Sequence, residues 1–269
     1  MKVVTWNVNS INVRLDRLSK LLKREDPDVV CLQELKCTED KFPFEALREK
    51  GFESIVLGQK TYNGVAILSK VKPSKIWKGF ETAPTDTEAR LIGAQIDGVT
   101  VICVYVPNGQ EVGSDKYRYK LKWLEHLRAF LKEEVDLNSP VLVCGDFNIA
   151  PTEEDVFDPK AWENQVLFSD PEKESLKTIM GLGLTDLYRE IHPTGEAFTW
   201  WDYRNISFPK NHGLRIDFIL GSSKAVSFIE DAYVDRNERK GTQPSDHAPV
   251  VCLFKEGFLQ KRTHLPKSL

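Results

Sequence analysis

The chain has 269 residues, 41% of them hydrophobic and 29% charged, with a formal net charge of −3. That length can bury a large core, and the composition is that of a folded domain, not of a disordered or fibrous chain. No apolar run reaches the ~20 residues of a membrane-spanning helix, and the charge lacks the basic excess that usually accompanies nucleic-acid binding.

In chain order, a first strand is expected at about Lys2 to Asn7, too early to leave room for a signal peptide. Leu15, Leu18, Leu21 and Leu22 then share one face of a helix, which Asp26-Pro27-Asp28 ends. Val29 to Leu32 is the next strand, so the chain opens like a layered α/β fold. Between Glu53 and Val106 the pattern is mostly strand. Asn63-Gly64 turns into Val65 to Leu68, and Asp97-Gly98 joins Leu91 to Ile96 with Val99 to Val106 as a hairpin. The longest helix is expected at about Asp115 to Val135, with Tyr117, Leu121, Leu124, Leu127, Phe130, Leu131 and Val135 as its apolar stripe. Lys116, Arg118, Lys120 and Lys122 read as its solvated face.

Strand Val141 to Cys144 follows, then an irregular loop with a helical turn from Pro151 to Asn164. A short helix runs from Glu172 to Met180 and is closed by Gly181 and Gly183. Phe198 to Trp200, Arg215 to Leu220 and Ala248 to Phe254 complete the expected strands, and Arg204, Lys210, His212 and Arg215 make a local basic group. Nothing resembles a linker or a short repeat. The expectation is one domain over residues 1–254, with two packed sheets and helices outside, and a polar tail at 255–269. Four of the five cysteines lie in apolar strand runs and none forms a Cys-x-x-Cys pair. They read as reduced and buried, suited to a cytoplasmic protein and not to zinc.

Four polar islands interrupt this apolar pattern: Trp6-Asn7-Val8-Asn9, Leu32-Gln33-Glu34, Gly145-Asp146-Phe147-Asn148 and Ser245-Asp246-His247-Ala248-Pro249. Taken singly, Glu34 is a turn cap or a metal ligand, and Asp146 with Asn148 is a turn or a catalytic pair. Taken together they form an oxygen-rich set with one imidazole. Mg²⁺ prefers such oxygens and needs only one or two carboxylates plus substrate phosphate. Glu34 would anchor it, with Asn7, Asn9 or Asp246 nearby. Asp146 would orient and deprotonate water, and His247 would donate to a phosphate oxygen. Asp217 lies inside an apolar run and so needs a partner, either His247 or Arg215.

These residues resemble the endonuclease/exonuclease/phosphatase superfamily, which also contains phosphatases of lipids and inositols. Further segments are similar to its exonuclease III and abasic-site endonuclease branch. They are Trp6-Asn7-Val8-Asn9-Ser10, residues 62–70, Tyr105-Val106-Pro107-Asn108-Gly109, Phe198 to Arg204 and Gly213-Leu214-Arg215-Ile216-Asp217. The resemblance runs from about residue 1 to 254. It implies a four-layer α/β sandwich, two mixed sheets flanked by helices. It implies Mg²⁺, replaceable by Mn²⁺, and hydrolysis 5′ to an abasic site in double-stranded DNA. Removal of 3′-blocking groups, 3′-to-5′ exonuclease activity and a monomeric enzyme are implied as well.

By position, the resemblance makes Glu34 the main metal ligand, with Asn7 and Asp246 at the metal. Asp146 and Asn148 handle the water, Tyr105 touches the scissile phosphate, and His247 with Asp217 stabilises its charge. Trp200, Leu214 and Ile216 match a pocket for the base-free sugar, although their spacing alone reads as ordinary core. Tyr105 likewise reads alone as core or site. Arg204 matches a residue that reaches into the duplex, and Asn108 and Arg90 match backbone-phosphate contacts. Asn9 stands where some relatives carry Asp. The alternative reading is a superfamily phosphatase or phosphodiesterase acting on a lipid or nucleotide.

Overall fold

The computed structural model describes residues 1–80, 83 and 86–258. Strand β1 (Lys2–Asn7) leads into helix α1 (Ile11–Glu25), and β2 (Val29–Gln33) returns parallel to β1. Asp26 ends α1 in the left-handed conformation just before Pro27, as a residue that cannot continue a helix should. Helix α2 (Phe44–Arg48) and strands β3 (Glu53–Leu57), β4 (Val65–Ser69), β5 (Ile76–Lys78), β6 (Leu91–Ile96) and β7 (Val99–Tyr105) follow. The β6–β7 turn is Asp97-Gly98, with positive φ at both residues, the geometry a two-residue hairpin needs.

Helix α3 (Asp115–Glu133) is capped by the Ser114 hydroxyl, which accepts from the Tyr117 N–H at 3.1 Å. It crosses back to β8 (Val141–Asp146), parallel to β7. Helices α4 (Pro159–Trp162) and α5 (Asp170–Met180), strand β9 (Leu184–Asp186), helix α6 (Leu187–Ile191), strand β10 (Asp217–Ser222), helix α7 (Ser223–Val226) and strands β11 (Ile229–Val234) and β12 (Val250–Phe254) complete the order.

Two six-stranded mixed sheets result, β11-β12-β1-β2-β4-β3 and β5-β6-β7-β8-β10-β9. Val3, Val29, Ile67, Val101 and Ile219 point between the sheets, while Val4 and Val30 point out towards α1. The outer face of the second sheet packs Val143 and Phe218 against Trp123, Leu127 and Phe130 of α3 and Ile179 of α5. The strands therefore read as continuous apolar runs because both of their faces are buried. This is the expected four-layer arrangement.

Three expectations change. Phe198 to Trp200 is not a sheet strand: Trp200 makes only isolated bridges to Leu214 and His247. Its backbone ties two loops together instead, with Trp200 N–H donating to Leu214 O at 2.9 Å and Ala248 N–H to Thr199 O at 2.7 Å. The buried face of α3 keeps the expected stripe but adds Lys120 and Trp123, so it is wider than expected. The basic group at 204–215 does not form one surface. Arg215 is buried between Asp155 and Asp186, His212 stacks on Phe157, and Arg204 is exposed. The expected tail lies outside the described residues from 259 onward, whereas Phe258 is buried and stacks on Phe254 at 4.3 Å.

Candidate active site

Both parallel pairs end at the same edge of the sandwich. Asn7 closes β1 and Glu34 follows β2. Glu34 has φ of 57°, a left-handed conformation that costs a residue of its type about 1–3 kcal/mol. The surroundings hold it there: Ser10 N–H donates to Glu34 O at 2.8 Å, Ile11 N–H to Leu35 O at 3.1 Å and Leu35 N–H to Gly64 O at 3.1 Å. In the second sheet, Tyr105 of β7 and Asp217 of β10 both lie in register with Asp146 of β8. One row across three strands thus carries a phenol and two carboxylates. Gly145 makes that row close-packed, since a Cβ there would lie 1.9 Å from the Val104 carbonyl oxygen.

His247 completes the row. Its Nδ1 lies 2.9 Å from Asp217 Oδ2 and its Nε2 lies 3.7 Å from Asp146 Oδ2. Arg215, the other candidate partner for Asp217, is bound instead to Asp155 at 2.7 Å and Asp186 at 2.6 Å. Burial pushes the imidazole pKa down, but the carboxylates of Asp217 and Asp146 outweigh it and hold His247 at about 10. The ring is therefore a cation at neutral pH. The Asp146 pKa is raised as well. Burial drives it up to about 7, helped by the charge of Asp217 and opposed by His247 and by the Asn7 amide, which donates at 2.9 Å. Tyr105 is pushed well above its ordinary value, by burial first and then by the charges of Glu34 and Asp146, so it stays a neutral donor.

The remaining expected residues divide. Asn148 donates its N–H to Asp146 Oδ1 at 2.9 Å and its amide to Val106 O at 3.0 Å, and it accepts from the Asn108 amide at 3.3 Å. Asp246 accepts from Asn9 at 2.9 Å and from the Trp200 indole at 3.0 Å. Arg90 lies over the Tyr105 ring at 4.9 Å. Leu214 and Ile216 are fully buried with Ala150, Val156, Leu167 and Phe168, and Trp200 packs half-buried against them. The two aliphatic residues are thus a floor beneath Trp200, not open walls. Arg204 stands apart, 83% exposed and paired with Asp202.

A family model described as the Endonuclease/Exonuclease/phosphatase family matches residues 4–247. Exodeoxyribonuclease III of Haemophilus influenzae is 34% identical over 267 residues, covering 95% of this chain and all of that one. Among solved structures, a 3′ phosphatase from Neisseria bound to a product DNA hairpin is 42% identical with a TM-score of 0.93. It covers 95% of this chain and 99% of its own. An AP endonuclease from Archaeoglobus fulgidus is 39% identical with a TM-score of 0.92, covering 94% of this chain and 99% of its own. The chain belongs to the exonuclease III and AP endonuclease branch of the endonuclease/exonuclease/phosphatase family. It is a hydrolytic nuclease of the phosphodiesterase kind.

In a nuclease of this family the donor set matters. The ligand atoms of Asp146, Asp217 and His247 lie within 4.8 Å of one another and could hold a metal ion. A protonated imidazole does not ligate, however, and Asp217 already accepts from its Nδ1. The set beside it, Glu34, Asn7 and Asp246, offers carboxylate and amide oxygens, the chemistry that suits a hard divalent cation. Lys36 lies 2.9 Å from Glu34 Oε1 and 2.6 Å from Asn9 Oδ1, and so ties Glu34 to the asparagine that donates to Asp246.

Four residues of the site went unassigned in the sequence. Ser245 donates to Asn7 O at 2.7 Å and accepts from His247 N–H at 3.1 Å. Thr199 accepts from the N–H groups of Ile216 and Asp217 at 3.0 and 3.1 Å. The Trp6 indole donates to His247 O at 3.1 Å. Ser245 and Trp6 sit inside the polar islands, so their position was a usable signal. Lys120, the fourth, gave the opposite signal by sitting among exposed cations.

Proposed function

We propose that this nuclease hydrolyses the phosphodiester on the 5′ side of an abasic site in double-stranded DNA, leaving a 3′-hydroxyl. In the same reading it clears 3′-blocked ends and degrades DNA from 3′ to 5′, as a cytoplasmic monomer whose catalytic unit spans residues 1–254. The observation that carries this reading is the row Tyr105–Asp146–Asp217 with His247 between its two carboxylates. Five buried, unpaired cysteines agree with a reducing compartment, and no helix of the described residues is long and apolar enough to cross a membrane.

Mg²⁺, or Mn²⁺ in its place, would be held by Glu34 with Asn7 and Asp246 and would neutralise charge on the phosphate. The chain's own residues supply the rest. Asp146, with a pKa of about 7, takes a proton from the attacking water near its own ionisation point, where a general base works best. Asn148 keeps that carboxylate oriented through its N–H. As the water oxygen bonds to phosphorus and the bond to the 3′ oxygen breaks, charge grows on the nonbridging oxygens, and the released 3′ oxygen takes a proton from solvent to give the hydroxyl. Tyr105 and the His247 cation donate to them. Trp200, above the floor of Leu214 and Ile216, meets the sugar that lacks a base. Asn108 and Arg90 contact backbone phosphate, and Arg204 reaches into the duplex.

Incubation with an abasic duplex and Mg²⁺ tests the reading. One incision 5′ to the site is expected, and Glu34→Ala and Asp146→Asn should each lose about 10²–10³-fold or more in kcat while staying folded. An intact duplex, together with turnover of a small lipid or nucleotide phosphoester, would overturn it.

A further inference from the structure

Lys120 lies on α3 with no solvent exposure, although its neighbours Lys116, Arg118 and Lys122 are exposed. An ammonium carries three donors. Those of Lys120 meet three acceptors: Asn148 O at 2.6 Å, Asn108 O at 3.1 Å and a carboxylate oxygen of Glu172, equally buried, on α5. Glu172 is satisfied in turn by the N–H groups of Leu167 and Ser169, both at 3.0 Å, and by the Ser169 hydroxyl. Gly109, with φ of 94°, leaves room for the lysine stem, since a Cβ there would lie 3.1 Å from Lys120 Cδ.

A buried ion pair seldom stabilises a fold more than a well-packed apolar pair of the same size would. Its location is therefore the informative part. The two carbonyls that Lys120 holds belong to the loops leaving β7 and β8, three residues past Tyr105 and two past Asp146. Asn148 is left-handed, with φ of 50°, and its N–H and side chain hold Asp146 and Asn108. The Asn148 carbonyl lies on the peptide after that residue and its N–H on the peptide before, so fixing the carbonyl restrains the N–H on Asp146 through the backbone dihedrals of Asn148.

We propose that Lys120 is a positioning residue for hydrolysis: through the carbonyls of Asn108 and Asn148 it sets Asn148 against the Asp146 carboxylate. This rests on the reading of Asp146 and Asn148 as the pair that handles the water. The test uses the full chain carrying Lys120→Met with Glu172→Gln, so that no unpaired charge is buried and the cap of α5 is kept. Melting is followed by circular dichroism, and kcat and KM are measured on an abasic duplex with Mg²⁺. The expected result is a folded protein with unchanged KM and kcat lower by about 10²-fold, the scale that a 1 Å misplacement costs.

In the residual activity of an Asp146→Asn background the same pair of substitutions should bring no further loss, because Lys120 acts by setting the backbone of Asn148 against the Asp146 carboxylate. A folded double variant with parental kcat would overturn the proposal, and so would losses that multiply in the Asp146→Asn background. If that variant melts below the assay temperature, Lys120→Met with Glu172→Leu is assayed against the same two criteria. Asp146→Asn separates the two levels. If it leaves cleavage intact, the reading of the site fails. If it abolishes cleavage while the folded Lys120 variant keeps its kcat, the positioning role alone fails.

Discussion

His247 shows how one side chain acquires a function from its neighbours. An isolated imidazole in this core would be neutral, because burial disfavours its charge. Two carboxylates reverse that preference, and burial raises Asp146 as well, with the charge of Asp217 adding to it. Near neutral pH the pair thus holds an imidazolium beside a carboxylate close to its own titration point. Replacing Asp217 by Asn keeps the shape and removes the charge that contributes most to holding the imidazole pKa up. In the proposed reaction His247 donates its proton to the phosphate, so activity should be lost as pH rises through its pKa. With Asp217→Asn that loss should begin at lower pH than in the parent, whose imidazole titrates at about 10. A kcat lower by roughly 10²-fold at neutral pH should accompany it. A pH–kcat profile for both proteins checks this, and an alkaline limb that stays in place would contradict it.

At the level of elements, the sequence disclosed what the backbone period and the turn residues control. Asp97-Gly98 forms the expected hairpin, α1 stops at Asp26, and the strand ends at Asn7 and Asp146 carry site residues because both sheets terminate there. What it hid depends on contacts distant in the chain. Thr199 looked like part of a strand, yet its hydroxyl serves Ile216 and Asp217. Lys120 looked solvated because its sequence neighbours are, and only the packing of α3 against α5 turns it inward. Gly145 belongs to the same class. Its lack of a side chain lets β7 and β8 close at Val104, which brings Tyr105 beside Asp146. Gly145→Ala would press a methyl onto backbone that cannot swing aside, so the ladder must spread. A loss of about 3 kcal/mol in urea unfolding is expected, together with a fall in kcat that a surface Gly→Ala would not produce. Parental values of both would show that the close approach is dispensable.

Across the whole molecule, the site belongs to neither sheet alone. The first sheet grips the backbone around His247, through the Trp6 indole and through Ser245 on Asn7 O. The second sheet grips its ring, through Asp217. The Asn7–Asp146 hydrogen bond crosses the same boundary. The catalytic geometry therefore exists only while the two sheets stay packed on their shared core, and the site has no independent stability. Ile67 lies fully buried in that core on β4, outside the row of site residues. Ile67→Ala should lower stability by about 2–5 kcal/mol through lost burial and the cavity left behind. Without denaturant its kcat should match the parent, because no site residue has moved. In urea, loss of activity and loss of far-UV circular dichroism should coincide in both proteins, with the variant's midpoint at lower urea. Activity that disappears well before the circular dichroism signal would mean that the site opens while the sandwich persists, and the two-sheet grip on His247 would then not be what holds it together.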